Sequence, residues 1–407
     1  MRVSGKHRRC KLRNRRNCQS ALDDEGTEGG SLPEWCHTGH SNPFFGSDIS
    51  PLTAYLSRLS CFHVSLRPMK TIPESPLKLR PCGLATYFVS VAVSLVMVTA
   101  LMVKFAGGNL PVDRRFVAAV LCLNALLAIL LLLAHRDVQA WVLKRVKGSS
   151  GNAWLFLLPL VVLYLAYALG TDSFQLLPFL KLAGYVVLPA ALMVTIRQPE
   201  QRLLWQDVVV ILALWLPLDF RWMRDVWGWP HHSLAYSMNS LMATSLAVFL
   251  FACVRGLKDV GYRCHFQNRD GWIGVRNFLF FAPLAIPIGL LTGFITISRR
   301  PISAWDLLYS ALGIFFLIAI PEELLFRGII QNFLEKTSRK PGLALVVTSL
   351  LFGAAHLNNG PSPDWRYFLL ASLAGLFYGN AYQRTRALLA PAFVHTLVDT
   401  VWRAFFR

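Results

Sequence analysis

The chain has 407 residues, 54% of them hydrophobic and 15% charged, with a formal net charge of +19 and a mean hydropathy of +0.44. Soluble globular proteins carry about a quarter charged residues, so the composition excludes that class and implies an all-α, polytopic transmembrane bundle. The positive charge does not mark a nucleic-acid binder, because Lys and Arg are spread over the segments between apolar runs instead of gathering on one domain.

Residues 1–68 are Arg-rich at first, then acidic and Gly/Ser-rich around Asp23 to Ser31, with no sustained apolar period. They read as a disordered basic tail, for which a mis-assigned start is one explanation, with Met69 the alternative. No apolar run follows the basic stretch until about residue 84, so it lacks the pattern of a secretory signal. Cys10, Cys18, Cys36 and Cys61 precede that run, and none of the chain's 8 cysteines forms a Cys-x-x-Cys pair. Neither a disulfide framework nor a zinc pattern is expected, and Cys36, His37 and His40 are read as incidental.

Apolar runs long enough to span a bilayer follow at 84–103, 116–134, 153–169, 177–196, 234–254 and 277–297, then at 305–326, 342–357, 367–382 and 388–402. A shorter run, Val208 to Leu218, precedes Trp222, Trp227 and Trp229 and suggests an interface element or a tilted span. The length rule therefore predicts about ten or eleven helices. Residues 69–300 hold little ionisable character inside the runs and read as scaffold; 301–407 read as the catalytic part. His135, His231, His232 and His265 fall between runs, where a solvated or interfacial histidine is the ordinary case.

Basic residues occupy alternate loops: Arg136, Lys144, Arg145 and Lys147; Arg197 and Arg202; Arg255, Lys258, Arg263, Arg269 and Arg276; Lys336, Arg339 and Lys340. With the short run counted as a span, these loops share one side, which the positive-inside rule makes cytoplasmic. Arg114, Arg115, Arg299 and Arg300 fall on the other.

It is near the C-terminus that ionisable residues gather inside the apolar runs: Glu322, Glu323, Arg327, His356, His395 and Asp399. A single charge at the bilayer centre costs on the order of 3 kcal/mol, so this cluster demands a compensating reason. Residues four apart share a helical face, which pairs Glu323 with Arg327, Phe352 with His356 and His395 with Asp399. Each pair could be structural alone. Glu322 lies about 100° around the helix from Glu323 and lacks an evident partner.

Glu322-Glu323-x-x-x-Arg327, Phe352-x-x-x-His356 and His395-x-x-x-Asp399 resemble, in order and spacing, the three motifs of the CAAX protease and bacteriocin-processing (ABI) family of intramembrane endopeptidases. Phe326-Arg327-Gly328, Leu351-Phe352-Gly353-Ala354-Ala355 and Leu389-Ala390-Pro391-Ala392 extend the likeness. The resemblance implies that Glu322 activates water and His356 helps to bind it. It implies an oxyanion site at His395 and residue 399, with Glu323 and Arg327 as a supporting pair. Many members carry Asn where this chain has Asp399, and an ionised carboxylate cannot donate to an oxyanion. Asp399 would then have to be protonated, or act by orienting His395.

The expected substrate is a peptide or protein C-terminus within the membrane, with lipid around it and no nucleic acid. No cofactor or metal is expected, since no His-Glu-x-x-His helix is present. The alternatives are a zinc-dependent intramembrane protease and a non-enzymatic transporter or bacteriocin-immunity protein. A transporter should show broken helices in two matching halves, and the sequence has no such symmetry. The location that fits is the bacterial inner membrane.

Overall fold

The computed structural model describes residues 113–406, with breaks at 150, 197–200, 231–233, 264–266, 299–301, 358 and 360–361, and also residues 91, 92, 95 and 96. The tail at 1–68 and nearly all of the run at 84–103 lie outside the described residues. Among those described there are 11 helices and no strand. In chain order they are α1 (Arg114–Leu133), α2 (Arg136–Gly148), α3 (Gly151–Gly170), α4 (Leu176–Val194), α5 (Trp205–Asp219) and α6 (Ala235–Val254). Then come α7 (Asn268–Leu291), α8 (Ala304–Ser338), α9 (Pro341–Ala355), α10 (Trp365–Thr385) and α11 (Leu389–Phe405).

Six of these, α1, α3, α4, α6, α7 and α8, are long and apolar enough to cross a membrane. Large apolar side chains such as Leu155, Leu188 and Leu291 face outward, as a lipid-facing surface requires. The short run becomes α5, a helix of 15 residues. Three sequence expectations need correction. The first basic cluster is not loop: Arg136, Lys144, Arg145 and Lys147 lie on α2, whose buried residues are Val142 and Val146. His135 is buried, not solvated, and caps α2 by accepting from the Asp137 amide at 3.2 Å. Arg255 also turns inward, where its guanidinium donates to Asp207 at 3.1 Å with both side chains essentially inaccessible.

Hydrogen bonds between loops gather the helix ends into two faces. On one, Leu203 donates to Thr337, Lys258 to Gln201, Leu388 to the Gly261 carbonyl, and Arg269 to the Arg384 carbonyl. The other holds Arg114 on Asp172, Lys181 on Asp225, Arg366 on the carbonyls of Thr292 and Gly293, and Ser298 on the Phe405 carbonyl. All four basic clusters of the sequence reach the first face.

The helix α8 organises the C-terminal half. Its 35 residues would extend about 50 Å at 1.5 Å per residue, well beyond a hydrocarbon core of about 30 Å. It runs parallel to α10 with one register throughout: Arg327 donates to the Gly375 carbonyl at 3.3 Å, Gln331 to the Gly379 carbonyl at 3.3 Å, and Gln383 to Glu335 at 2.8 Å, each pair 48 residues apart. A polar residue every fourth position would drift about 40° per step around an ideal α-helix. Here the wider turns of a π-helical segment, Leu324–Gln331, hold Arg327, Gln331 and Glu335 toward the same neighbour.

Candidate active site

Glu322 and Glu323 occupy four α-helical residues, Ile320–Glu323, between two π-helical stretches, Phe315–Ala319 and Leu324–Gln331. Proline explains part of this. Pro321 has no amide hydrogen to return to the Leu317 carbonyl, which instead accepts from the Ser240 hydroxyl at 3.0 Å. His356 caps the end of α9, where the ring Nδ1 lies 2.7 Å from the Phe352 carbonyl. His395 and Asp399 are one turn apart on α11.

These elements bring the sequence-predicted residues together. The Glu322 carboxylate oxygen Oε2 lies 4.0 Å from His356 Nε2 and 3.9 Å from His395 Nε2. It has no hydrogen-bond partner of its own. Asp399 approaches the same His395 nitrogen at 3.5 Å. The Phe352 carbonyl can only accept, so it fixes a proton of His356 on Nδ1, and in the neutral ring Nε2 keeps a lone pair on the side of Glu322.

Glu323 has a part that helical spacing did not show. Its Oε1 accepts from Arg327 at 2.9 Å and lies 2.9 Å from His395 Nδ1, a residue 72 positions away. All three side chains are buried. The Arg327 guanidinium lies 4.4 Å from the Phe352 ring and 5.1 Å from the Tyr378 ring, so aromatic faces replace the water it has lost.

The run at 367–382, which carries none of the ionisable cluster, is part of the site. Tyr378 of α10 stacks on His395 at 4.9 Å with 19° between the rings. Tyr367 lies against His356 at 5.0 Å. Tyr367 and Tyr378 are eleven residues apart, close to three full turns. That spacing was the signal that could have found them.

Two cavities meet at Glu322. One of about 280 Å³, between α7, α10 and α11, is lined by Phe281, Phe294, Tyr367 and Trp402 and contains His395 and Asp399. The other, of about 630 Å³, lies between α5, α6 and α8 and includes Asp219, Arg221, Arg224, Asn239 and Thr244. Tyr236, Glu322, His356 and Asn359 border both. Among the described residues, no group of three or more His, Cys, Asp or Glu side chains is arranged to hold a metal ion.

Comparison with known proteins agrees with this geometry. A family model for type II CAAX prenyl endopeptidase, Rce1-like, matches residues 303–401, the stretch containing every ionisable residue of the cluster. An uncharacterized 24.3 kDa protein of Escherichia coli is 34% identical over 216 residues, 49% of this chain and 95% of that one. The uncharacterized protein YpbD of Bacillus subtilis strain 168 is 30% identical over 91 residues, 22% of this chain and 42% of its own length. No solved structure matches the chain. A bundle of membrane-length helices that closes around the glutamate pair and two histidines, together with these matches, places the chain as a multi-pass membrane protein of the Rce1-like family of CAAX-type proteases.

Proposed function

We propose that this protein is an intramembrane endopeptidase that hydrolyses a peptide bond with water activated by Glu322. The observation that carries this reading is the position of Glu322 Oε2, unpartnered and about equally far from two imidazole Nε2 atoms, at 3.9 and 4.0 Å. Those separations are too long for direct hydrogen bonds, and one bridging water satisfies them. Such a water donates one hydrogen to Glu322 and the other to the His356 Nε2 lone pair, so its own lone pair points away from both. It attacks the carbonyl carbon, Glu322 takes its proton, and the carbonyl oxygen becomes an oxyanion. The protonated Glu322 then gives that proton to the departing amine.

His395 and Asp399 face the same space and form the oxyanion site in this reading. With Nδ1 donating to Glu323, an Nε2 proton makes the His395 ring an imidazolium, a charge-assisted donor. Glu323, Arg327 and Tyr378 are positioning residues, because each acts on the ring of His395 or on Glu323. The helices from residue 301 onward hold the reacting groups, and α5, α6 and α7 of the 69–300 part help to wall the cavities. The substrate class is a peptide or C-terminal protein segment within the membrane, and a bacterial cell membrane is the setting that fits. No step requires a metal or cofactor.

Glu322→Gln keeps the shape of the side chain and removes the base. The purified variant should stay folded and lose peptide hydrolysis by at least about two orders of magnitude. Unchanged cleavage would remove Glu322 from this role. Activity of the unaltered protein should survive a strong chelator; loss on chelation and return with added zinc would move Glu322, His356 and His395 into a zinc site.

A further inference from the structure

The two faces of the bundle differ in charge, and both cavities lie toward one of them. On the face where α2 lies, Lys and Arg are concentrated: α2 itself, Lys258 and Arg263 between α6 and α7, Arg339 and Lys340 after α8, and Arg384 and Arg386 at the end of α10. The opposite face has fewer. Several of those are tied to local carboxylates, as Arg114 and Arg115 are to Asp172, Lys181 to Asp225 and Arg366 to Asp364. Including Arg197 on the first side and Arg299 and Arg300 on the second, by their places in the sequence, leaves the order unchanged. Lys and Arg close to span ends set orientation, which makes the α2 face cytoplasmic.

The site sits toward the other face. His356 caps α9 at that end, and Asn359 follows it there. Phe294, Ile295, Trp402 and Phe406, from the loop after α7 and the end of α11, line the smaller cavity. Asp219, Arg221, Arg224 and Ala235, around the loop from α5 to α6, line the larger. No described residue from a loop of the basic face lines either one. The Glu322 side chain is 26% accessible and that of Asp399 32%. Glu323 and Arg327, next toward the basic face, are sealed.

We infer that the catalytic site opens to the non-cytoplasmic face of the membrane and that its substrate is a peptide segment presented on that face. This rests on the proposed peptidase reading for the word substrate, but not for the orientation. A segment confined to the cytoplasmic surface would meet the basic face, where loops hydrogen-bonded to one another separate it from Glu322.

Labelling of introduced cysteines tests orientation without needing activity. Ser362, exposed between Asn359 and α10, and Ser149, exposed after α2, lie at opposite faces. With the parent protein as background, Ser362→Cys should react with a membrane-impermeant maleimide in intact cells, and Ser149→Cys only after lysis. The reverse pattern overturns the inference. A second arm adds an impermeant peptide pool to right-side-out and inverted membrane vesicles containing the full chain. Glu322-dependent cleavage confined to right-side-out vesicles supports the inference, and cleavage confined to inverted vesicles overturns it. Cleavage in neither, with the expected labelling, counts against the peptidase reading alone and leaves the orientation supported.

Discussion

Asp399 is the residue whose chemistry the geometry constrains most usefully. Its carboxylate lies 3.5 Å from His395 Nε2 and borders the aromatic cavity, while the opposite nitrogen of the ring is already held by Glu323. Glu323 therefore orients the imidazole from its Nδ1 side, and Asp399 acts at Nε2, where a carboxylate beside the ring strengthens it as a charge-assisted donor. Asp399→Asn removes a charge and supplies an amide donor, and these effects oppose each other. Peptide hydrolysis should stay within about tenfold, or about 1.4 kcal/mol of barrier. Asp399→Ala supplies neither group and should lose about a hundredfold or more. Both variants measured in one assay decide the matter: alanine as active as aspartate would put residue 399 outside the chemistry.

At the same scale, the ionisable cluster was legible because charges inside apolar runs are rare, and the four-residue spacing showed Glu323 with Arg327. The contact between Glu323 and His395 was not legible. It joins two helices 72 residues apart in sequence, and helical periodicity reports only neighbours on one helix. Arg255 misled for a related reason. It stands among loop cations in sequence, and only the packing of α5 beside α6 shows that it folds back onto Asp207, 48 residues earlier.

Among the elements, α9 and α10 pack most closely around small residues. A Cβ on Gly353 would stand 2.0 Å from the Ser372 hydroxyl and 2.6 Å from the Phe368 carbonyl oxygen. The hydroxyl could rotate away, but the carbonyl belongs to α10 and can move only with its helix. Gly353→Ala should therefore cost about 1 to 3 kcal/mol, the range for overpacking a close contact. It should also reduce hydrolysis, because His356 is three residues further along the same turn. Gly342, at the other end of α9, would meet nothing within 4 Å. Gly342→Ala is the matched control, expected to leave thermal stability in detergent and hydrolysis unchanged; equal stability of the two variants would show that α10 gives way.

Across the whole molecule, fixed charge is divided between two tasks in two places. The Asp207–Arg255 pair is buried at the basic face and ties α5 to the end of α6, with a further bond from Arg255 to the Arg202 carbonyl at 3.1 Å. Removing one partner leaves a lone buried charge, typically at a cost of about 3 to 5 kcal/mol. Arg255→Ala should lower the thermal midpoint sharply while the protein that remains folded hydrolyses peptide at the normal kcat/KM, because neither cavity is lined by Asp207 or Arg255. A normal midpoint would mean that water reaches Asp207. Apart from α2, which was read as loop, the described helices and their order were readable from the apolar runs. Their register was not, since it depends on where α8 departs from the α-helical pitch.

That departure makes the length of one segment informative in itself. α8 winds with a changing pitch and α10 with a constant one, yet Arg327, Gln331 and Glu335 meet Gly375, Gly379 and Gln383 in turn, as the marks of a vernier coincide over a short interval. Deleting one residue from Leu324–Gln331 would rotate every later mark by roughly a quarter turn relative to Glu322. The aliphatic side chains of this stretch can be exchanged for others of similar size, but its residue count cannot change without uncoupling the glutamates from the polar row that anchors them.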